Sequence, residues 1–166
     1  KYKIKLIEDS AESIGSFIKK KHTGLFGDFG ILSFNGNKII TTGAGGMILT
    51  NSENSARLAK HITTTAKVAH PYEFFHDEPG FNYRLPNINA ALGCAQMESL
   101  DVILNNKREL AFQYEQFFAD KAIIFIAEIP EAQVNYWLNA IICPDSNSRK
   151  IFIADNFIWK VISSIV

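Results

Sequence analysis

The chain has 166 residues, of which 47% are hydrophobic, and its 17 Lys and Arg residues balance its 17 Asp and Glu residues. This length is enough for a domain with a buried core, and the zero net charge excludes an overall field that would attract nucleic acid or an anionic membrane. No apolar run is long enough to span a bilayer. We therefore expect neither nucleic acid nor a membrane as a partner of the chain. Cys94 and Cys143 lie far apart and are predicted to be small buried thiols, which favours a reducing, cytoplasmic location.

The first fifty residues are predicted to alternate strands with turns, because short apolar runs are bounded there by Gly, Asp and Lys. The predicted elements are strands at 2–8, 27–34 and 45–50, a short helix or turn at 10–16, and a solvated basic loop at 19–22.

A helix is predicted next, capped by Ser52 or Asn54 and running to about His61. The segment 63–86 that follows is polar and aromatic and contains three prolines. A connection this long inside a compact chain is usually functional or ordered by a ligand.

Apolar residues then recur at helical spacing from Asn87 to Phe118, which predicts a helix of more than about 25 residues. Two strands are predicted beyond it, at 122–127 and 134–143. Tyr136 and Trp137 are expected to be core or interface aromatics of the second strand.

The stretch SFNGNKIITTGAGGMILT places one lysine, Lys38, between two predicted strands. One interpretation is a tight hairpin at Asn35-Gly36 with Lys38 on its surface. The other gives the lysine a chemical role, because Asp9 ends an earlier strand and ligand chemistry collects at the carboxyl ends of strands in open α/β sheets. A carboxylate and a lysine at two such ends are the pair that pyridoxal phosphate requires.

Three motifs, IEDSAES, GLFGDFGILSFNGNKIITTGAGGMILTN and GFNYRLPNINAALGCAQMESL, occur in this order. Together they resemble the DegT-type sugar-nucleotide aminotransferases, which are pyridoxal phosphate enzymes of fold type I. The resemblance implies an α/β fold: part of the large domain of an aspartate aminotransferase-like transferase, over 1–105, and the start of an α+β small domain, over 106–166. The tail from about residue 150 departs from the pattern.

The same resemblance assigns roles to five residues. Lys38 would form the Schiff base with pyridoxal 5'-phosphate and move protons, and Asp9 would pair with the pyridine nitrogen. Glu12 would lie near the phenolic oxygen, and Ser33 would donate its hydroxyl to the phosphate. Asn82 would reach the phosphate in the neighbouring subunit of a homodimer.

The implied substrates are glutamate and a nucleotide-linked 4-keto-6-deoxy sugar that is aminated at C4. The wording SFNGNKIITTG is most similar to the branch that acts on UDP-4-keto-6-deoxy-N-acetylhexosamines for legionaminic acid and bacillosamine-type sugars. Related dehydratases carry histidine in place of the lysine, and Lys38 argues against that reaction.

The alternative is a truncated, inactive fragment of this fold, because the chain lacks the upstream half of the large domain, which holds the main phosphate loop. We therefore expect the 166 residues alone to be inactive. Since the spacings of His61, His70 and His76 match no zinc pattern, we also predict no metal site.

Overall fold

A computed structural model describes residues 2–154 of the chain, and its helices and strands form an α/β arrangement. The elements are β1 (Ile7–Asp9), β2 (Phe17–Ile18), β3 (Lys21–His22), β4 (Phe29–Ser33), β5 (Gly46–Leu49), α1 (Glu53–Thr63), α2 (Asn87–Glu98), α3 (Leu100–Phe118), β6 (Ile124–Phe125), β7 (Ala132–Gln133), β8 (Ile141–Ile142) and α4 (Ser146–Ala154). The part of the predicted atypical tail beyond Ala154 lies outside the described residues.

The central sheet has the order β1-β4-β5, with β1 parallel to β4 and β4 antiparallel to β5. The predicted first strand is shorter than expected, because the Leu6 amide donates to the Asp28 carboxylate, 3.0 Å away, before the ladder begins. A side chain on Gly30 of β4 would meet the backbone of Gly24, since a Cβ there would lie 2.0 Å from the Gly24 carbonyl oxygen. Glycine is therefore required at this close approach.

Two groups of apolar side chains form the core. The first packs the sheet against α3 and contains Ile14, Leu32, Phe34, Ile39, Ile40 and Leu104. The second lies at the far end of α3 and contains Ala111, Phe118 and Phe125. The helix α3 therefore joins the central sheet to the β6–β8 hairpin.

The basic segment 19–22 is not the loop that the sequence predicted. Its residues form the turn and second strand of a hairpin in which β2 pairs with β3, and Lys19 and Lys20 take the positive φ values of 49° and 65° that suit a two-residue hairpin turn. The outer edge of β2 pairs with β7, an element that the sequence did not predict. This pairing carries the chain after Gln133 to the turn that follows β1.

The helix α1 is confirmed, with Ser52 as its cap, since the Ser52 side chain accepts a hydrogen bond from the Ser55 amide. The single long helix from Asn87 is wrong. It divides at Ser99, whose amide bonds the carbonyls of Gln96 and Met97 at the end of α2 before α3 begins. The Ser99 side chain makes no capping hydrogen bond, so the helix boundary rests on this backbone turn.

The segment between α1 and α2, residues 64–86, is confirmed as a long connection. We call it the 64–86 loop; its ladder contacts are two isolated bridges, Thr64 with Asn82 and Lys67 with His76. Val68 and Phe81 also donate backbone hydrogen bonds, to Phe75 and to Ile62 at the end of α1. Backbone hydrogen bonds therefore link parts of the loop to one another and to the end of α1.

Among residues 2–154, no helix has the length and apolar character needed to cross a bilayer. The prediction that both cysteines are buried is wrong, because Cys94 is exposed on α2 and Cys143 is half-buried. Both thiols are free.

Candidate active site

Asp9 and Ser33 lie at one edge of the central sheet and on one face of it. Asp9 ends β1 and is paired in register with Ile31 of β4, and Ser33 ends β4 two residues later. Side chains of paired residues point to the same face, and so do those of alternate residues along a strand. The sheet therefore places a carboxylate and a hydroxyl side by side where its parallel strands end.

Lys38 lies in the turn just after this edge, where its amide donates to the Asn35 carbonyl. Its side chain is only 12% exposed. The strands β4 and β5 do pair as antiparallel neighbours, but residues 34–45 join them, so the tight Asn35-Gly36 hairpin with a surface lysine is wrong. The lysine is instead folded back towards the protein.

Two side chains hold the Lys38 ammonium. Glu12, from the turn after β1, accepts a hydrogen bond from Lys38 Nζ at 3.2 Å. The Trp137 ring lies on Nζ with its centroid 4.1 Å away. A cation over an aromatic face is attracted by the ring quadrupole, and indole gives the strongest such attraction. We call Asp9, Glu12, Ser33, Lys38 and Trp137 the lysine site.

The glycine-rich stretch after Lys38 is fixed by α2. Asn89 donates to the Thr42 carbonyl at 2.5 Å, and Gln96 accepts from the Thr41 amide at 3.2 Å. Gly43 and Gly45 take φ values of 81° and 108°, which glycine adopts without strain. The glycines therefore let the chain turn from the lysine into β5 while polar side chains of α2 hold its backbone.

Glu8 stabilises the loop that leads into β4. Its carboxylate accepts hydrogen bonds from the amides of Gly27, at 2.5 Å, and Gly24, at 2.8 Å. Burial acts to raise the pKa of Glu8, but these amides and that of Phe26 outweigh it and lower the pKa below its ordinary value of 4.5. Amide donors stabilise the charged form.

A cavity of about 690 Å³ does not contain the lysine site. It lies between α2 and the face of the sheet that carries Leu32 and Met47, and its lining is almost wholly apolar. Asp9 and Ser33 project from the opposite face. The apolar cavity and the lysine site therefore lie on opposite sides of the sheet.

Asn82 is not part of this arrangement. It is exposed and bridges to Thr64, and no contact recorded among residues 2–154 joins it to the lysine site. A role for Asn82 in a neighbouring subunit stays a prediction.

The three histidines for which no metal site was predicted, His61, His70 and His76, have different partners. His70 Nδ1 accepts from the Glu73 amide, and His76 contacts the Thr65 carbonyl. His61 Nε2 lies 2.6 Å from Asp77 and 3.8 Å from Glu78. This group closes the 64–86 loop onto α1, and the absence of a metal site stays a prediction.

The lysine site has the chemistry that pyridoxal phosphate requires. It offers an amine that is held in place, a carboxylate at the carboxyl end of a strand, and a hydroxyl beside it. The Asp9 carboxylate is exposed and accepts from the Ala11 amide, while Ser33 Oγ accepts from the Asn35 amide and keeps its own hydrogen to donate. Lys38, Asp9 and Ser33 therefore fit the cofactor, with Glu12 beside the amine.

Sequence reasoning missed Trp137 as a member of the site, and it missed Asn89 and Gln96 as residues that support it. Trp137 was expected in a core or interface, and it does pack against the first core group, as its neighbour Tyr136 packs against the second. The unexpected contact is that of the Trp137 ring with Lys38. Adjacent aromatics carry no sequence signal that separates these two environments.

Comparison with known proteins agrees with the geometry. Residues 1–156 match the model of the DegT/DnrJ/EryC1/StrS aminotransferase family. EpsN of Bacillus subtilis (strain 168), whose name assigns it as a pyridoxal phosphate-dependent aminotransferase, is 40% identical over 141 residues, which are 84% of this chain and 36% of EpsN. GDP-perosamine synthase of Escherichia coli O157:H7 is 37% identical over 87% of this chain and 39% of its own length.

Solved structures show the same fold. PseC of Helicobacter pylori, an aminotransferase involved in the biosynthesis of pseudoaminic acid, superposes with a TM-score of 0.80 at 23% identity, over 97% of this chain and 43% of PseC. The chain thus spans about two fifths of the length of the proteins it matches. The expected α/β fold of a pyridoxal phosphate-dependent sugar aminotransferase is confirmed, and pyridoxal phosphate is confirmed as the cofactor of the family. The chain belongs to the DegT/DnrJ/EryC1/StrS aminotransferase family.

Proposed function

We propose that this chain is the lysine-bearing portion of a pyridoxal phosphate-dependent aminotransferase that acts on a nucleotide-linked sugar. The observation that carries the proposal is the Lys38 amine, only 12% exposed and held by Glu12 at 3.2 Å, beside the sheet edge that bears Asp9 and Ser33. A lysine amine that is largely removed from water suits covalent catalysis.

When bound, the cofactor supplies an electron sink and a carrier for the amino group. Lys38 Nζ would hold it covalently and would carry a proton to and from the reacting carbon. The Asp9 carboxylate would keep a proton on the pyridine nitrogen, and the Ser33 hydroxyl would donate to the phosphate. Glu12 would hold Nζ in place for these roles.

The overall reaction exchanges an amine for a ketone. Glutamate gives up its amino group and is oxidised to 2-oxoglutarate, and the C4 ketone of a 4-keto-6-deoxy sugar is reduced to the amine, so no external oxidant is needed. Two observations on the sugar carrier point in different directions. The stretch SFNGNKIITTG favours a UDP-linked N-acetylhexosamine, whereas three relatives are named GDP-perosamine synthases. Parallel assays with UDP-linked and GDP-linked 4-keto-6-deoxy sugars distinguish these substrates.

The proposed assembly is a cytoplasmic homodimer in which Asn82 reaches the phosphate of the neighbouring site. The exposed position of Asn82 on the 64–86 loop supports this arrangement. The proposed division into a large-domain part, 1–105, and a small-domain part from 106 falls inside α3, so one helix serves both parts.

The second candidate function is that of a fragment without catalysis. The chain spans 36% of the length of EpsN, and this candidate is tested by whether the chain turns over substrate. The test supplies the 166-residue chain with pyridoxal phosphate, glutamate and both sugar nucleotides. Production of 2-oxoglutarate coupled to an amino sugar would exclude this candidate.

Covalent attachment of the cofactor tests the main proposal without requiring turnover. The chain is incubated with excess pyridoxal phosphate, reduced with borohydride and digested, and the labelled peptide is identified by mass spectrometry. We expect the label on Lys38, and a loss of at least about 100-fold in Lys38→Ala.

Lys67→Ala is the matched control, because Lys67 also lies under an aromatic ring, with Nζ 3.9 Å from the centroid of Phe74. It should label like the wild type. A dominant label on any lysine other than Lys38 would contradict the proposal.

A further inference from the structure

Trp137 is the residue of the lysine site for which the family roles provide no function. Its ring lies on Lys38 Nζ, 4.1 Å from the centroid, and Glu12 holds the same ammonium at 3.2 Å. The amines of Lys67 and Lys121 also lie over aromatic rings. Lys38 differs because its side chain is only 12% exposed.

The Trp137 ring is anchored at two points. Its indole Nε1 donates to the carbonyl of Asn37, the residue next to Lys38, at 2.6 Å. Its backbone amide donates to Asn135 Oδ1 at 2.9 Å. A side chain fixed in this way loses little freedom when it covers the lysine, in contrast to a mobile surface aromatic.

Asn135 connects the same segment to the turn that carries Glu12. It is 4% exposed, and its Nδ2 donates to the carbonyls of Glu12, at 2.7 Å, and Ile14, at 2.9 Å. Its backbone amide donates to Ser16 Oγ at 3.1 Å. One buried amide side chain therefore sets the positions of both groups that hold the Lys38 ammonium.

We propose that Trp137 is a positioning residue for Lys38: its anchored ring and the Glu12 carboxylate hold Nζ in one orientation and cover it from other reagents. The inference rests on the proposed function, since it gives Trp137 the task of presenting the amine that attaches the cofactor. It also makes the segment after β7 a necessary part of the site, although that segment lies about a hundred residues beyond Lys38.

The test compares Trp137→Leu and Trp137→Phe with the wild type by two readouts. Trace acetylation with acetic anhydride, without cofactor, measures how well each lysine is covered. Borohydride trapping after incubation with pyridoxal phosphate measures attachment at Lys38. Phe74→Leu, which removes the ring over Lys67, is the matched control.

In Trp137→Leu, we expect Lys38 acetylation to rise about 5- to 30-fold, which is the effect of losing a partly desolvated cation–ring contact. Cofactor attachment at Lys38 should fall about 5-fold or more, because the amine is no longer held. A general loosening would raise acetylation at other lysines as well, so a rise confined to Lys38 is what distinguishes the positioning role. Phe74→Leu should change neither quantity at Lys38.

Trp137→Phe keeps a ring but loses the indole donor to Asn37, and we expect Lys38 acetylation within about 3-fold of the wild type. Unchanged Lys38 acetylation in Trp137→Leu would overturn the proposal. If every lysine becomes more reactive in that variant because it unfolds, the Phe variant decides, and a rise there as large as the Leu effect would also overturn it.

The two proposals fail separately. If Lys38 of the wild type is protected from acetylation but never attaches the cofactor, the proposed function is refuted. The inference that Trp137 covers Lys38 would still stand. Equal attachment in the wild type and in Trp137→Leu would refute the positioning role and leave the function standing.

Discussion

The lysine site and the 64–86 loop differ in where their hydrogen-bond partners come from. Asn135 donates to the Glu12 carbonyl and Trp137 donates to the Asn37 carbonyl, so these bonds join residues 123 and 100 positions apart. In the loop, Val68 bonds Phe75, and Phe81 bonds Ile62 at the end of α1. The site is thus made by tertiary contacts and the loop by local ones.

Burial separates Lys38, but not the whole lysine site, from the loop. The Lys38 side chain is 12% exposed although that of Glu12 is 58% exposed, whereas Tyr72, Phe74 and Tyr83 of the loop are 79%, 82% and 73% exposed. Local bonds satisfy the loop backbone without covering its aromatic side chains. Exposed apolar groups in such number are typical of a segment that meets another surface, as the proposed dimer requires.

Of the substitutions that test this comparison, Asn135→Ala is expected to have the largest effect on stability. The change leaves the carbonyls of Glu12 and Ile14 and the amide of Trp137 without their partner. We expect the free energy of unfolding, measured by urea denaturation, to fall by roughly 2–4 kcal/mol, because buried polar groups without partners cost about 1–3 kcal/mol each.

Asn139→Ala is the control for this prediction. Asn139 Oδ1 is buried without a hydrogen-bond partner among the described residues, so its removal should change the free energy of unfolding by less than about 1 kcal/mol. Equal losses in the two variants would show that Asn135 acts by packing alone.

A smaller effect is expected from Glu8→Gln, and it depends on pH. Because the folded-state pKa of Glu8 is lowered, its contribution to stability is present above its unfolded value and is lost as the pH falls through the folded value. The variant should therefore be less stable than the wild type at neutral pH, and the difference should shrink below about pH 4.5.

Urea midpoints measured from pH 7 to pH 3 check this expectation. Glu53→Gln is the control, since Glu53 is exposed and pairs with Arg57 of the same helix. Its difference from the wild type should stay below about 0.5 kcal/mol at neutral pH. A Glu8→Gln difference that is independent of pH would contradict the assignment.

The smallest effect is expected in the loop, from Asp77→Asn. The Asp77 carboxylate lies 2.6 Å from His61 Nε2, but both side chains are partly exposed. We expect less than about 1 kcal/mol in the free energy of unfolding, faster proteolysis within the 64–86 loop, and unchanged cofactor attachment at Lys38. Asp120→Asn, which breaks an exposed pair with Lys121, is the control for surface charge.

A large loss of attachment at Lys38 in Asp77→Asn would remove the distinction between the two regions, because the loop would then support the lysine site. Slower proteolysis would contradict the role of the His61–Asp77 contact in closing the loop.

The sequence by itself determined the local features. Ser52 caps α1 because its hydroxyl suits an N-terminus, the strand ends place Asp9 and Ser33 at one edge, and the motif around Lys38 identified the family. Each of these depends on neighbours in the sequence or on the period of a strand. Local patterning is sufficient for such features.

Only the tertiary structure decided the rest. The pairing of β7 with β2 brings Asn135 and Trp137 to the lysine, and nothing in the pattern of residues 132–137 specifies that contact. The burial of Lys38 likewise depends on Glu12 and Trp137, which lie far from it in sequence. The physical reason is that contacts between distant segments depend on shape and burial in three dimensions. The pattern of residues along the sequence does not contain that information.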